Sequence, residues 1–375
     1  MARPPLASGK TMEFFNTYVA PTALDQLRGT LETTRLSEGA RVRAFEQGLA
    51  SELGLVQPAA VNSGTAALHL ALLVAGVGTG DEVIVPAQTF IATALAVLHC
   101  GATPVFADID PTSGNLDPAD LARRITARTK ATIPVHWGGM PCDMDEINAI
   151  AAAHHVAVVE DAAHALGAIY RGRPVGSLSR FTAFSFQAIK HLTTGDGGAI
   201  ACTQERDATE VFRRRWFGID RAHSPMSELG ERDYDLQDVG YKYHMNDYCA
   251  ALGLANLEGF AGRLERRRAI AAQFDSALAD IPGLRHLARP TDRVSAWWLY
   301  GIRVENRLEF VRALKSRGVP TSVCHLRIDH NTIFGGLNDL PATAAFDADQ
   351  INLPVHEALT DQDVAQIIAA VRAGW

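Results

Sequence analysis

The sequence predicts an α/β protein: a mostly parallel sheet with helices on both faces, followed by a smaller α+β region. Two observations carry this. Helix-like stretches of small and apolar residues alternate with short β-branched runs from about residue 60 to 186, the pattern of repeated strand–helix crossovers. Beyond about residue 250 the alternation stops and long helical periodicity takes over. The expected division is a large domain over 10–250 and a small one over 251–375, and 375 residues suffice for both cores.

The elements follow in order. TAALHLALLVAGV (65–77) is apolar throughout and reads as a buried helix. DEVIVPA (81–87) is a strand and TFIATALAVLHCG (89–101) a helix. TPVFADID (103–110) is a strand, and DPADLARRI (117–125) a helix capped by its Asp. KATIPVHW (130–137), VAVVED (156–161) and FTAFSF (181–186) read as strands, with the helix MDEINAIAAAHH (144–155) after the first of them. The stretch 246–281 then reads as one long helix, followed by a strand at 297–304 and helices at 307–318 and 361–373.

Composition narrows the function classes. Hydrophobic residues make up 47% and charged residues 21%, which suits an ordinary globular chain. A net charge of −7 gives no support for binding nucleic acid or an anionic membrane. The basic runs RRRW (213–216) and RLERRR (263–268) read as solvated helix faces. Cys100, Cys142, Cys202, Cys249 and Cys324 lack zinc or redox spacing, so no metal site is expected and reduced thiols are. The N-terminal MARPPLASGKTMEFF carries no secretory pattern, and no uncharged apolar run is long enough to span a membrane. A cytoplasmic protein is expected.

Ligands of open parallel sheets bind beyond the carboxyl ends of the strands, and three stretches fall there. In VNSGTAAL (61–68) the opening N–H groups of a helix, at Gly64, Thr65 and Ala66, form a ready phosphate site; a plain N-cap by Ser63 or Thr65 accounts for the same residues. In VAVVEDAAHALGA (156–168), Asp161 ends a strand among alanines, placed either to pair with a cationic ring nitrogen or to cap a helix, with His164 three residues on. In SFQAIKHLTTGDGGAI (185–200), Lys190 follows a buried strand, either as an ordinary surface lysine or as an amine held in a pocket. An amine buried there is easier to deprotonate and can bond a carbonyl as a Schiff base. Ser185 stands at the strand end as a phosphate donor, and Gly195, Gly197 and Gly198 let backbone pass close to a ligand. Phosphate cradle, strand-end acid and post-strand lysine together point to pyridoxal phosphate.

These motifs, with FEQGLASELGL (45–55), GDEVIVPAQTFIATALAVLHCGATPVFADID (80–110) and GYKYHMNDYCAALGLANL (240–257), resemble the DegT/StrS family of sugar aminotransferases over nearly the whole chain. The resemblance implies pyridoxal-phosphate fold type I, with a mostly parallel seven-stranded-type sheet sandwiched by helices and a smaller α+β domain. It implies that Lys190 bonds the cofactor and shuttles the proton, that Asp161 pairs with the pyridine nitrogen, and that His164 lies near the phenolic oxygen. Phe90 would stack on the ring, unless it is core packing. Gly64, Thr65 and Ser185 would hold the phosphate, and Gln187 stands where many members have His.

One departure stands out. Many relatives read GYNYRM, whose Asn reaches the neighbouring subunit's cofactor phosphate; here Lys242 and His244 replace the Asn and Arg. Asn246 is a further neighbouring-subunit contact or a helix N-cap. Some relatives carry His in place of the lysine and dehydrate instead, so Lys190 favours amine transfer, with His191 set aside.

The resemblance implies transfer from L-glutamate or glutamine to a keto-sugar, nucleotide-linked in most members, by a homodimer with shared active sites. In the segment 318–336, His325, Arg327 and His330 are candidate sugar or diphosphate contacts, a structural role for each standing beside that reading. Alternatives are a sugar dehydratase or lyase, a keto-cyclitol aminotransferase, and a non-catalytic cofactor-binding regulator. A dehydrogenase is disfavoured, because GVGTGDE (76–82) follows a helix and lacks the dinucleotide fingerprint.

Overall fold

A computed structural model describes residues 12–221 and 223–375. The expected start of the first domain at residue 10, and most of the N-terminal stretch, lie outside the described residues.

Seven strands form the central sheet: β1 (Ala59–Val61), β2 (Glu82–Pro86), β3 (Thr103–Ala107), β4 (Thr129–Thr132), β5 (Ala157–Asp161), β6 (Phe181–Ser185) and β7 (Gly198–Cys202). Their order is β1-β7-β6-β5-β4-β2-β3. Only β7 runs against its neighbours; the rest are mutually parallel, as the strand–helix alternation predicts. Successive strand residues feed opposite faces. Ile84, Val158 and Phe184 join one apolar core, while Val83, Val85, Val159, Phe181 and Ala183 join the other with the helix Gly64–Val74. Asp161 lies two residues after Val159 and so shares the face of that helix.

Three small strands, β8 (Leu284–His286), β9 (Tyr300–Val304) and β10 (Gln350–Leu353), form an antiparallel sheet in the order β8-β9-β10. A third core, including Phe274, Ile302, Phe310 and Val371, is built on this sheet. The helix Phe260–Ala277 spans two cores, with Phe260 and Leu264 in the first and Ile270 and Phe274 in the third.

Three expected elements differ. The strand over 130–137 is continuous only over Thr129–Thr132; Pro134 has no N–H to give, pairing resumes in a single bridge between Val135 and Asp161, and Trp137–Gly139 then turns as a short 3-10 segment. The long helix over 246–281 is two helices, Asp247–Leu257 and Phe260–Ala277. Gly259 breaks it at φ +68°, and Arg263 donates to the freed carbonyls of Asn256 and Glu258. The strand over 297–304 begins only at Tyr300, because the N–H groups of Trp298 and Leu299 donate to the Gly138 carbonyl at 2.9 and 3.1 Å. That last detour brings Trp298 up to the carboxyl end of the central sheet.

Gly198 decides how closely β7 approaches the start of the helix Gly64–Val74. A Cβ there would lie 2.6 Å from the Ser63 carbonyl oxygen and 2.7 Å from that of Phe184. Both contacts are backbone, so Gly198→Ala forces β1, β6 and β7 apart. The expected cost is about 1–3 kcal/mol, read as a lower midpoint in thermal unfolding; an unchanged midpoint would show that the sheet has slack here. Among the described residues no helix is long and apolar enough to cross a membrane.

Candidate active site

A cavity of about 410 Å³ opens at the carboxyl ends of β5 and β6. Its floor comes from the helix Gly64–Val74. Ser63 is extended and caps that helix, its Oγ accepting from the Ala66 N–H at 3.0 Å. The capping duty therefore falls to Ser63, and Gly64 and Thr65 are left on the cavity wall. A Cβ on Gly64 would come within 3.0 Å of the Ser185 Cβ, so glycine lets the helix start and the end of β6 close around one spot.

Asp161 ends β5 with its carboxylate on the same cavity. Thr93 Oγ donates to Oδ2 at 2.7 Å, and the Ala163 N–H donates to Oδ1 at 3.1 Å. Thr93 is itself held by Thr89 at 2.8 Å. No helix begins at Asp161; the chain makes a turn, so the helix-cap alternative does not apply.

Lys190 sits in the turn that follows β6, its N–H donating to the Gln187 carbonyl at 2.9 Å. Gln187 spends its side-chain oxygen on the Ile189 N–H at 3.1 Å. Burial lowers the pKa of the Lys190 amine to about 8, against the pull of Cys324 and Asp161. Its nitrogen lies 3.6 Å from the centroid of the Trp298 ring. His164 stacks on the same indole at 3.8 Å. Burial, with the Lys190 charge next, pushes the His164 pKa well below the usual value, so the ring is neutral. Its Nδ1 is buried and, among the described residues, has no partner. His191 is turned away, its Nε2 donating to the Ala296 carbonyl at 2.8 Å.

The arrangement is an amine, a carboxylate, a neutral imidazole and a helix N-terminus around one enclosed space. A profile of the DegT/DnrJ/EryC1/StrS aminotransferase family matches residues 18–372. The chain belongs to that family. Among curated relatives, the spore coat polysaccharide biosynthesis protein SpsC of Bacillus subtilis is 40% identical over 93% of each chain. The GDP-perosamine synthase of Caulobacter vibrioides is 38% identical over 92% of this chain and 94% of its own. The sugar aminotransferase CalS13 of Micromonospora echinospora superposes with a TM-score of 0.92 at 34% identity, covering 97% of this chain and 100% of that one. Spr1654 from Streptococcus pneumoniae, solved in a PLP-form, gives 0.89 at 30% over 97% and 98%.

In this DegT-family chain every residue expected in its own cofactor site reaches the cavity: Gly64, Thr65, Phe90, Asp161, His164, Ser185, Gln187 and Lys190. Phe90 is 52% exposed at the mouth, which excludes simple core packing. His325 faces it with ring centroids 5.1 Å apart, and burial followed by the Lys190 charge lowers its pKa to about 4. Of the three expected substrate contacts only His325 lines the cavity. Arg327 is committed to Asp329 through two nitrogens at 2.7 and 2.6 Å, and His330 bonds the Arg327 carbonyl. Lys242 is exposed, its ammonium 5.6 Å from the Trp216 ring centroid. Asn246 caps the helix Asp247–Leu257, accepting from the Cys249 N–H at 2.8 Å. The resemblance assigns Lys242 and Asn246 to a neighbouring subunit's site, and neither lines the cavity of its own chain.

The sequence reading missed Thr93 and Trp298. Thr89 and Thr93 are four apart, a spacing that sets two hydroxyls on one face and was a usable signal. Trp298 left none, since it read as strand and reaches the cavity only through the detour at 297–299.

Proposed function

We propose that this chain transfers an amino group from L-glutamate or glutamine to a nucleotide-linked keto-sugar, using pyridoxal 5'-phosphate held in the 410 Å³ cavity. Its membership in an aminotransferase family and the sugar aminotransferases among its neighbours carry the general reaction. The observation that carries the site is the convergence of Lys190, Asp161 and the Gly64–Thr65 helix start on one cavity. The residues fit the cofactor. A helix N-terminus suits a phosphate, a strand-end carboxylate suits a ring nitrogen, and the unpartnered His164 Nδ1 awaits a polar group. When bound, the cofactor supplies an aldehyde that joins amines and a ring that accepts electrons.

The chain's own residues do the rest. Gly64, Thr65 and Ser185 hold the phosphate, and Asp161, fixed by Thr93 and the Ala163 N–H, holds the ring nitrogen charged. Lys190 carries the proton between donor and acceptor carbons, and does so as a neutral amine. Below about pH 8 that amine is protonated and above it neutral. Bonding of added pyridoxal phosphate to the apoprotein should therefore accelerate as pH rises through about 8, followed by the growth of visible absorbance; a midpoint near the ordinary lysine value of 10.5 would contradict the enclosed amine.

Lys242 and Asn246 serve the partner's cofactor in a homodimer, and the chain divides into a large and a small domain at 250/251; a separate apolar core from Ile270 to Val371 supports two domains, while Leu257, Phe260 and Leu264 pack into the first core. The protein works in the cytoplasm. A glutamate-dependent assay across nucleotide keto-sugars and keto-cyclitols, read by mass spectrometry, tests the substrate. Turnover without consumption of an amino donor would favour a dehydratase instead.

A further inference from the structure

Lys190 has an unusual neighbour. Among the described residues its amine makes no hydrogen bond or ion pair, and its one direct partner is the face of the Trp298 indole, 3.6 Å away. That ring is held from several sides. It is 1% exposed, and its N–H donates at 3.1 Å to the carbonyl of Ile189, the residue before the lysine. His164 and Phe15 stack on it at 3.8 and 5.1 Å, and its backbone N–H is tied to Gly138. Ring and lysine turn are thus fixed to each other, although they come from distant parts of the sequence.

We propose that the indole face of Trp298 is the resting place of the Lys190 amine whenever that amine is not bonded to the cofactor, which makes Trp298 a positioning residue for proton transfer. An amine displaced by the amino donor must stay close, remain able to take a proton, and return. On a flexible four-carbon stem it has many places to go. An aromatic face attracts it most when protonated and more weakly when neutral, so it holds without trapping. The titratable groups facing the amine are Asp161 from β5, His164 and His191 from the flanking turns, Asp196 on the cavity wall, and Cys324 and His325 from the segment before β10. None of them contacts the amine as the ring does.

This inference rests on Lys190 being the cofactor-bonding lysine, which borohydride reduction of the holoenzyme reports separately. The test uses the pyridoxamine form of the holoenzyme, in which the amine is free. Carbamylation of Lys190 by cyanate is followed against pH by peptide mass spectrometry. Fluorinated tryptophans placed at position 298 keep the ring's shape and weaken its attraction for a cation. The expected result is a midpoint that falls stepwise with fluorine content, by about 0.4–1.5 units in all. In parallel, Trp298→Phe should retain most of the half-reaction rate with L-glutamate. Trp298→Met should lose about tenfold or more, with a larger isotope effect from the α-deuterated donor. A midpoint indifferent to fluorine, in a protein whose Lys190 is still reduced onto the cofactor, overturns the proposal. So does a Trp298→Phe protein as impaired as Trp298→Met. If reduction labels another lysine, it is the functional reading that fails.

Discussion

Lys190→Ala should give a folded protein without the visible absorbance of lysine-bonded cofactor, and with amine transfer reduced by at least about 10²- to 10⁴-fold. The loss is that of both the proposed covalent anchor and the proposed proton carrier. Folding should not suffer. A lysine whose pKa drops from 10.5 to about 8 on burial costs the folded state free energy wherever it is charged. The unfolded chain binds the extra proton between those two values, so stability rises with pH across that window. The cost is fully present below about pH 8 and vanishes above 10.5. The cofactor-free Lys190→Ala protein should therefore melt at or above the wild-type temperature near neutrality, and that margin should shrink as the pH is raised. Borohydride fixing the cofactor to another lysine would show that the anchor had been misassigned.

Much of this site was legible because chemistry and local structure coincide in short stretches. Asp161 and Lys190 each follow an apolar strand, and strands of a parallel sheet place their ends on one edge, so two motifs far apart in sequence had to meet. The Ser63-Gly64-Thr65 turn was legible for the same reason: Ser63 is the cap, and Gly64 and Thr65 are left on the cavity wall. What stayed hidden depends on breaks in regular structure. Gly259 splits a helix whose periodicity reads as continuous, because the apolar pattern resumes in register after the kink. Trp298 belongs to a stretch with the composition of a strand, and only its bonds to Gly138 divert it. Arg327 and His330 looked available for a diphosphate, since a sequence does not reveal that Asp329 already claims the guanidinium. Cationic residues in a loop are poor predictors of ligand contacts for that reason: the nearest carboxylate in the fold competes for each of them.

Asp161→Asn separates the geometry of the strand-end acid from its charge. Asparagine has nearly the same shape, and its side-chain oxygen can still accept from Thr93 or from the Ala163 N–H, so the turn after β5 should persist. What disappears is the negative charge proposed to face the ring nitrogen. A hydrogen bond to a charged group is worth about 1.5–3 kcal/mol, so amine transfer should fall by about 10- to 150-fold with the melting temperature little changed. A second effect follows from the first. Asp161 helps to hold the proton on Lys190, and removing its charge lets the amine lose that proton more easily. The pH midpoint for bonding added cofactor should move below about 8 even as turnover falls, a pairing that damage to the fold would not produce. Full turnover in Asp161→Asn would mean that the ring nitrogen lies elsewhere in the cavity. A midpoint that stays put would mean that the carboxylate and the amine do not sense one another across it.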